Sequence, residues 1–231
     1  MKAVLFDLDN TLYPEIDFVK SGFGAVAYYL SSKYSLDEGH LLARMLEILE
    51  REGRGKIFDH LLYDLRLYTE EEVKLLVDVY RSHQPSIHLY GDVLPTVSYL
   101  RGLGLHLGVV TDGMASVQRN KVAALGLGSL FDVITYSDEL GQEHWKPSTA
   151  PYQAALNILR VPEAEAAYVG DDPAKDFIGP NRMGMLTIQV ERQEPHNSVA
   201  NAALQAARAK YTVSSLEEIL PIIEEKHHAG G

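Results

Sequence analysis

From residue 89 onward, short apolar segments alternate regularly with helical segments, and this pattern constrains the fold more than any other feature. Apolar runs bounded by turn residues predict strands over 105–110, 133–136, 166–169, 186–190 and 211–213, and helices are predicted over 92–103, 114–125, 150–159, 174–183 and 216–225. Strands that alternate with helices form parallel sheets, because each helix returns the chain to the edge where the next strand begins. The sequence therefore predicts an α/β chain with a doubly wound parallel sheet.

The N-terminal part of the chain adds one strand and then departs from the pattern. The apolar run at residues 4–6 predicts the first strand of the same sheet. Residues 15–84 instead carry apolar stripes at helical spacing, which favour a compact bundle of four helices. We therefore expect an α/β core domain formed by residues 1–13 and 88–231, with a helical domain inserted at residues 14–87.

Two aspartates follow the first strand directly. Asp7 and Asp9 are two residues apart, and side chains at this spacing in extended backbone point to the same side. Two carboxylates held close together need a cation or a shared proton, and buried acids are rarely tolerated without a role. The pair therefore indicates a functional site at the C-terminal end of this strand.

Composition narrows the classes of function. The 21 basic residues against 32 acidic residues give a formal net charge of −11, which argues against a nucleic-acid polymer or an anionic membrane as partner, since both require a basic surface. The chain has no cysteine, so thiolate catalysis, disulfides and zinc–thiolate sites are excluded. No apolar stretch has membrane-spanning length, and Asp7 interrupts any signal-peptide pattern. We expect a cytoplasmic monomer or homodimer.

Polar residues also stand after three later strands of the predicted sheet. They are Thr111-Asp112-Gly113, Lys146 before Pro147, and Gly170-Asp171-Asp172 with Asp176 shortly after. Taken singly, the threonine is typical of a helix cap, the lysine of a solvated surface and the aspartates of a turn. Parallel sheets, however, form their sites at the C-terminal ends of the strands. The shared placement of all these groups favours one common site.

The order and spacing of these residues resemble the motifs of the haloacid dehalogenase superfamily. Asp7, Asp9 and Thr11 match its Asp-x-Asp-x-Thr motif, Thr111 matches its second motif, Lys146 its third, and Gly170-Asp171-Asp172 with Asp176 its fourth. The helical insertion is similar in position to the first-type cap of that superfamily. The resemblance implies a Rossmann-like core of this type with a helical cap.

The same resemblance implies a Mg²⁺-dependent phosphatase that acts on a small phosphate monoester of the nucleotide or sugar phosphate type. Asp7 would be the nucleophile that forms an aspartyl-phosphate, and Asp9 the general acid and base. Thr111 and Lys146 would hold the transferring phosphoryl group. The implied metal ligands are Asp7, the main-chain carbonyl of Asp9, and Asp171. Supporting positions are Asp112, Gly113, Asp172 and Asp176.

Alternatives to this function remain open from the sequence. Asp9 favours phosphate monoesters, because the dehalogenases and phosphonatases of the superfamily lack an acid at this position. A phosphomutase would share the same core, and a non-catalytic regulatory protein could keep the fold. Asp112 departs from the family pattern, in which many relatives have asparagine. A carboxylate there would oppose phosphate binding unless it points away or holds a substrate hydroxyl.

Overall fold

The computed structural model describes residues 1–192 and 205–228, and these residues contain one parallel sheet. Its strands are β1 (Ala3–Phe6), β2 (His106–Thr111), β3 (Val133–Tyr136), β4 (Ala166–Gly170), β5 (Leu186–Val190) and β6 (Tyr211–Val213). Their spatial order is β3-β2-β1-β4-β5-β6, and every neighbouring pair is parallel. The predicted doubly wound sheet is confirmed, in the strand order of a Rossmann-like fold.

The inserted segment is helical. It contains α1 (Glu15–Tyr34), α2 (Glu38–Glu52), α3 (Ile57–Asp64) and α4 (Glu70–Ser82). Thr69 caps α4, since its hydroxyl accepts the N–H of Glu72 at 3.0 Å. The apolar faces pack on one another around residues such as Phe23, Leu30 and Met45. These helices therefore share a hydrophobic core of their own.

Five further helices flank the sheet in the described part of the chain. They are α5 (Val93–Gly102), α6 (Ala115–Ala124), α7 (Ala150–Leu159), α8 (Ile178–Met183) and α9 (Ile219–His228). The helix predicted over 174–183 is shorter than expected and begins only at Ile178. The reason is local hydrogen bonding: the Asp172 carboxylate accepts the N–H of Ala174 at 2.9 Å, and Asp176 accepts the N–H of Asp172 at 3.0 Å. These bonds hold the segment in turns.

Contacts along the chain define two compact units, Met1–Pro14 with His88–Gly231 and Glu15–Ile87. The assignment of these units as a catalytic core domain and a cap domain stays a prediction. No helix in residues 1–192 and 205–228 has both the length and the apolar character needed to cross a membrane.

The first strand lies in the interior of the sheet. All four residues of β1 are buried, as expected for a parallel strand covered on both faces. It pairs with β2 on one side and with β4 on the other, so Ala3 lies opposite both His106 and Ala166. The chain that leaves β1 therefore emerges between two neighbouring strand ends.

Candidate active site

The predicted site residues gather where the strand order reverses. In this sheet the reversal falls between β1 and β4, and open α/β sheets form a crevice at the carboxyl ends of such strands. Asp7 follows β1, and its N–H donates to the carbonyl of Val169 at 2.8 Å. Asp171 follows β4 directly. The two carboxylates therefore project from adjacent strand ends into one crevice.

Lys146 lies between two buried carboxylates of this crevice. Its Nζ donates to Oδ1 of Asp7 at 2.5 Å and to Oδ1 of Asp176 at 2.8 Å. The hydroxyl of Tyr168 accepts from the same Nζ at 3.2 Å and donates to Asp176 at 3.1 Å. The lysine side chain is 0 % exposed. Because a buried charge is tolerated only with partners, the cation and the two carboxylates depend on one another.

Burial and charge shift the pKa values of these groups in different directions. Burial raises the pKa of Asp7 to about 6, although Lys146 opposes the rise. Burial and the negative charges of Asp7 and Asp176 raise the pKa of Asp171 to about 9. Burial also acts against ionisation of Asp176, but Lys146 outweighs it and lowers that pKa. Without a metal ion, Asp171 is therefore the group that holds a proton.

Asp7, Asp171 and Asp176 form a group of carboxylates that could hold a metal ion, and we call it the acidic cluster. One oxygen of each lies within 4.8 Å of the others. Oδ2 of Asp7 is buried and has no hydrogen-bond partner among the described residues, whereas Asp176 already accepts bonds on both of its oxygens. A buried, unpartnered carboxylate oxygen fits a hard divalent cation, which prefers oxygen ligands.

Asp9 lies close to Asp7 in sequence, but a different set of side chains holds its carboxylate. Its Oδ1 accepts a short hydrogen bond from the Tyr13 hydroxyl and a bond of 2.7 Å from Lys121 Nζ. Its Oδ2 accepts from Gln118 Nε2 at 2.9 Å. Burial opposes ionisation, but the charge and hydrogen bond of Lys121, with Tyr13 and Gln118, lower the pKa of Asp9 to about 2. Asp9 is therefore anionic in the ligand-free site.

The segment after β2 shows where the unusual Asp112 points. Its carboxylate accepts a bond of 2.5 Å from the Ser137 hydroxyl and bonds of 3.1 and 3.3 Å from the main-chain N–H of Lys146. Asp112 thus stabilises the loop that carries Lys146 through these hydrogen bonds.

The two residues beside Asp112 have other roles in the segment. The hydroxyl of Thr111 accepts a hydrogen bond from Gln118 at 2.5 Å. Gly113 turns the chain with φ at 110°, a value that favours glycine.

Sequence reasoning missed four residues near these groups: Tyr13, Gln118, Lys121 and Lys175. The available signal was the spacing of Gln118 and Lys121, three residues apart on the helix after the Thr111 motif, which places both on one face.

Lys175 lies near the acidic cluster. Burial and the charge of Lys146 lower its pKa, but the charges of the carboxylates outweigh them and raise it overall.

Comparisons with known proteins agree with this architecture. The family model of haloacid dehalogenase-like hydrolases matches residues 4–190. A glyceraldehyde 3-phosphate phosphatase of Methanopyrus kandleri is 34% identical over 85% of this chain and 89% of its own length. A ribulose-1,5-bisphosphate 5-phosphatase of Halopiger xanaduensis is 29% identical over 96% of this chain and 98% of its own. The crystal structure of a HAD phosphatase from Thermococcus onnurineus superposes with a TM-score of 0.62 and 28% identity, over 96% of this chain and 98% of that one.

The chain belongs to the haloacid dehalogenase-like hydrolases. The relatives named above are phosphatases, and the predicted enzyme class, a phosphoric monoester hydrolase of this superfamily, is confirmed.

Proposed function

We propose that this protein is a Mg²⁺-dependent phosphatase that hydrolyses small sugar phosphates by phosphoryl transfer to Asp7. The observation that carries the proposal is the state of the Asp7 carboxylate. One oxygen is bound to Lys146 at 2.5 Å. The other is buried and has no hydrogen-bond partner in the part of the chain that the structure describes, and Asp7 belongs to the acidic cluster. An oriented carboxylate with one free oxygen and a nearby cation site suits attack on a phosphate.

In the first step, an oxygen of Asp7 attacks phosphorus, and the bond from phosphorus to the substrate alcohol breaks. The alcohol oxygen takes a proton from Asp9, which must first gain one, and the negative charge of an arriving phosphate favours that uptake. Lys146 and the hydroxyl of Thr111 stabilise the charge on the phosphoryl oxygens. In the second step, water attacks phosphorus, Asp9 accepts its proton, and the Asp7 carboxylate and inorganic phosphate are released.

The groups proposed to hold Mg²⁺ are the carboxylates of Asp7 and Asp171 with the main-chain carbonyl of Asp9. Asp171 suits this role better than its neighbours, because both oxygens of Asp176 are occupied and Asp172 caps a turn at the N–H of Ala174. When bound, the ion supplies positive charge that lets an anionic carboxylate approach a phosphate dianion.

The substrate class rests on the relatives. Two of them are named as phosphatases of glyceraldehyde 3-phosphate and of ribulose-1,5-bisphosphate, so the proposal is a short sugar phosphate. A mutase on the same scaffold would convert such a compound into an isomer without releasing phosphate.

The test measures inorganic phosphate released from glyceraldehyde 3-phosphate, ribulose-1,5-bisphosphate, pyrophosphate and p-nitrophenyl phosphate, with Mg²⁺ and with EDTA. We expect release that requires Mg²⁺ and that Asp7→Asn abolishes. The matched control is Asp78→Asn, the same change at an exposed position of α4. Release that persists in Asp7→Asn, or an isomerised product without phosphate release, would contradict the proposal.

A further inference from the structure

Two side chains of α6 contact the proposed acid/base Asp9, and one of them also contacts the proposed phosphoryl-binding hydroxyl of Thr111. Gln118 and Lys121 are 2% and 4% exposed. Lys121 Nζ donates to Oδ1 of Asp9 at 2.7 Å, and Gln118 Nε2 donates to Oδ2 at 2.9 Å. Each oxygen of the carboxylate is thus bound by a different residue of the same helix, so the helix fixes the rotation of the Asp9 side chain.

Gln118 also contacts Thr111. Its Nε2 lies 2.5 Å from the threonine Oγ1. A side-chain amide nitrogen carries two hydrogens, so Gln118 can donate to Asp9 and to Thr111 at the same time. When the threonine oxygen accepts this bond, its own hydrogen remains available for a phosphoryl oxygen. One amide therefore couples the orientation of the carboxylate to that of the hydroxyl.

Stability alone does not account for this arrangement. Removing a lysine and a carboxylate from water is costly, and a buried ion pair is often no more stabilising than apolar side chains of the same volume. A basic residue of this helix can pair with a carboxylate without losing contact with water. The neighbouring Arg119 does so, since it lies on the exposed side of α6 and pairs with Glu139 at the surface. A largely buried pair, in which the Lys121 and Asp9 side chains are 5% and 16% exposed, fits a requirement for fixed geometry at Asp9.

We propose that Gln118 and Lys121 are positioning residues that act through Asp9 and Thr111, holding the carboxylate and the hydroxyl in the arrangement that phosphoryl transfer requires. This inference rests on the proposed function, since Asp9 and Thr111 are given their roles there. The proposal gives one face of α6 a role in the reaction, although neither Gln118 nor Lys121 belongs to any of the four sequence motifs.

The experiment compares Lys121→Met and Gln118→Met with the wild type, using p-nitrophenyl phosphate at saturating Mg²⁺. Methionine has the length of glutamine and lacks only the terminal nitrogen position of lysine, so both variants remove the donors while keeping most of the side chain. We expect kcat to fall by about tenfold or more in each variant while KM changes by less than about threefold, because an acid/base group misplaced after binding lowers kcat. The control is Arg119→Met on the same helix, with kcat and KM within about twofold of the wild type.

Conservative replacement and a double-mutant cycle separate positioning from a purely structural role. Lys121→Arg keeps the charge and a donor, and it should recover part of the kcat lost in Lys121→Met. If Lys121 acts through Asp9, the double variant Lys121→Met/Asp9→Asn should be no slower than Asp9→Asn alone. The nitrophenolate leaving group needs no proton, so with this substrate the loss of kcat reports the base role of Asp9 in the second step and the contact of Thr111 with the phosphoryl group.

Each outcome decides the inference. Wild-type kcat in both methionine variants, or a loss in Lys121→Met that multiplies with that of Asp9→Asn, would overturn it while leaving the proposed function intact. A wild-type protein that releases no phosphate would overturn the proposed function and this inference together. Should Lys121→Met fail to fold, Gln118→Met decides, since it removes no charge: a slow Gln118→Met that is non-additive with Asp9→Asn supports the inference, and a fast one refutes it.

Discussion

Replacing Lys146 with methionine should strongly destabilise the metal-free protein. The substitution leaves Asp7 and Asp176 facing each other without the cation that now lies 2.5 and 2.8 Å from them. Removing one partner of a buried ion pair costs about 3–5 kcal/mol, because a buried charge is left without compensation. Proton uptake by Asp7 limits the cost to this range, since two facing carboxylates can share a proton. For a chain of this length we expect the melting temperature to fall by about 6–20 °C.

Thermal unfolding followed by circular dichroism in EDTA near neutral pH measures this change. The matched control is Lys2→Met, the same substitution in the exposed ion pair of Lys2 with Glu165. An exposed pair contributes about 0–1 kcal/mol, so the control should melt within a few degrees of the wild type. Saturating Mg²⁺ should reduce the deficit of Lys146→Met, because a bound cation replaces part of the missing positive charge.

The reasoning would be refuted if Lys146→Met melted within about 2 °C of the wild type in EDTA. Such a result would mean that the two carboxylates do not depend on Lys146 for their charge balance. A deficit equal to that of Lys2→Met would lead to the same conclusion.

Two further predictions concern the acidic cluster. The pKa values of Asp7 and Asp171 are raised to about 6 and about 9, so between about pH 4 and 9 these groups bind more protons in the metal-free folded protein than in the unfolded chain. The melting temperature in EDTA should therefore fall as pH rises through this window, and saturating Mg²⁺ should offset the fall. A melting temperature that rises from about pH 5 to 8 in EDTA would contradict this prediction. In Gly170→Ala the new Cβ would lie 2.5 Å from Oδ2 of Asp176, so we expect kcat to fall by about tenfold or more. The control is Gly128→Ala, whose new Cβ would have no described residue within 4 Å, and it should keep wild-type kcat.

Much of the fold and the placement of the acidic residues could be predicted because both follow from local patterns. Alternating apolar and helical segments determine a parallel sheet, and polar residues directly after strands such as β1 and β4 must lie at one edge of it. Asp7, Lys146 and Asp171 could therefore be placed near one another from the sequence, although their catalytic roles stay predictions.

The residues that the sequence did not predict depend on distant partners. Gln118 and Lys121 look like the polar face of an ordinary helix, and only folding brings them to Asp9, 109 and 112 residues earlier in the chain. The late start of α8 had a related cause. The side chains of Asp172 and Asp176 accept hydrogen bonds from nearby main-chain N–H groups, and these bonds compete with the main-chain bonds of a helix. The periodicity of apolar residues in the sequence does not reveal this competition.

The central position of β1 has a consequence for synthesis of the chain. The segment that pairs with its far side, β4, begins at Ala166, so at about 5–20 residues per second the ribosome needs roughly 8–30 s to deliver it after β1 has emerged. The helical segment in between has local contacts and can form first. Until β2 is made the apolar strand β1 has no neighbour, and until β4 is made one of its two sides stays unpaired. Asp7 likewise meets Lys146 only after the chain has grown by a further 139 residues.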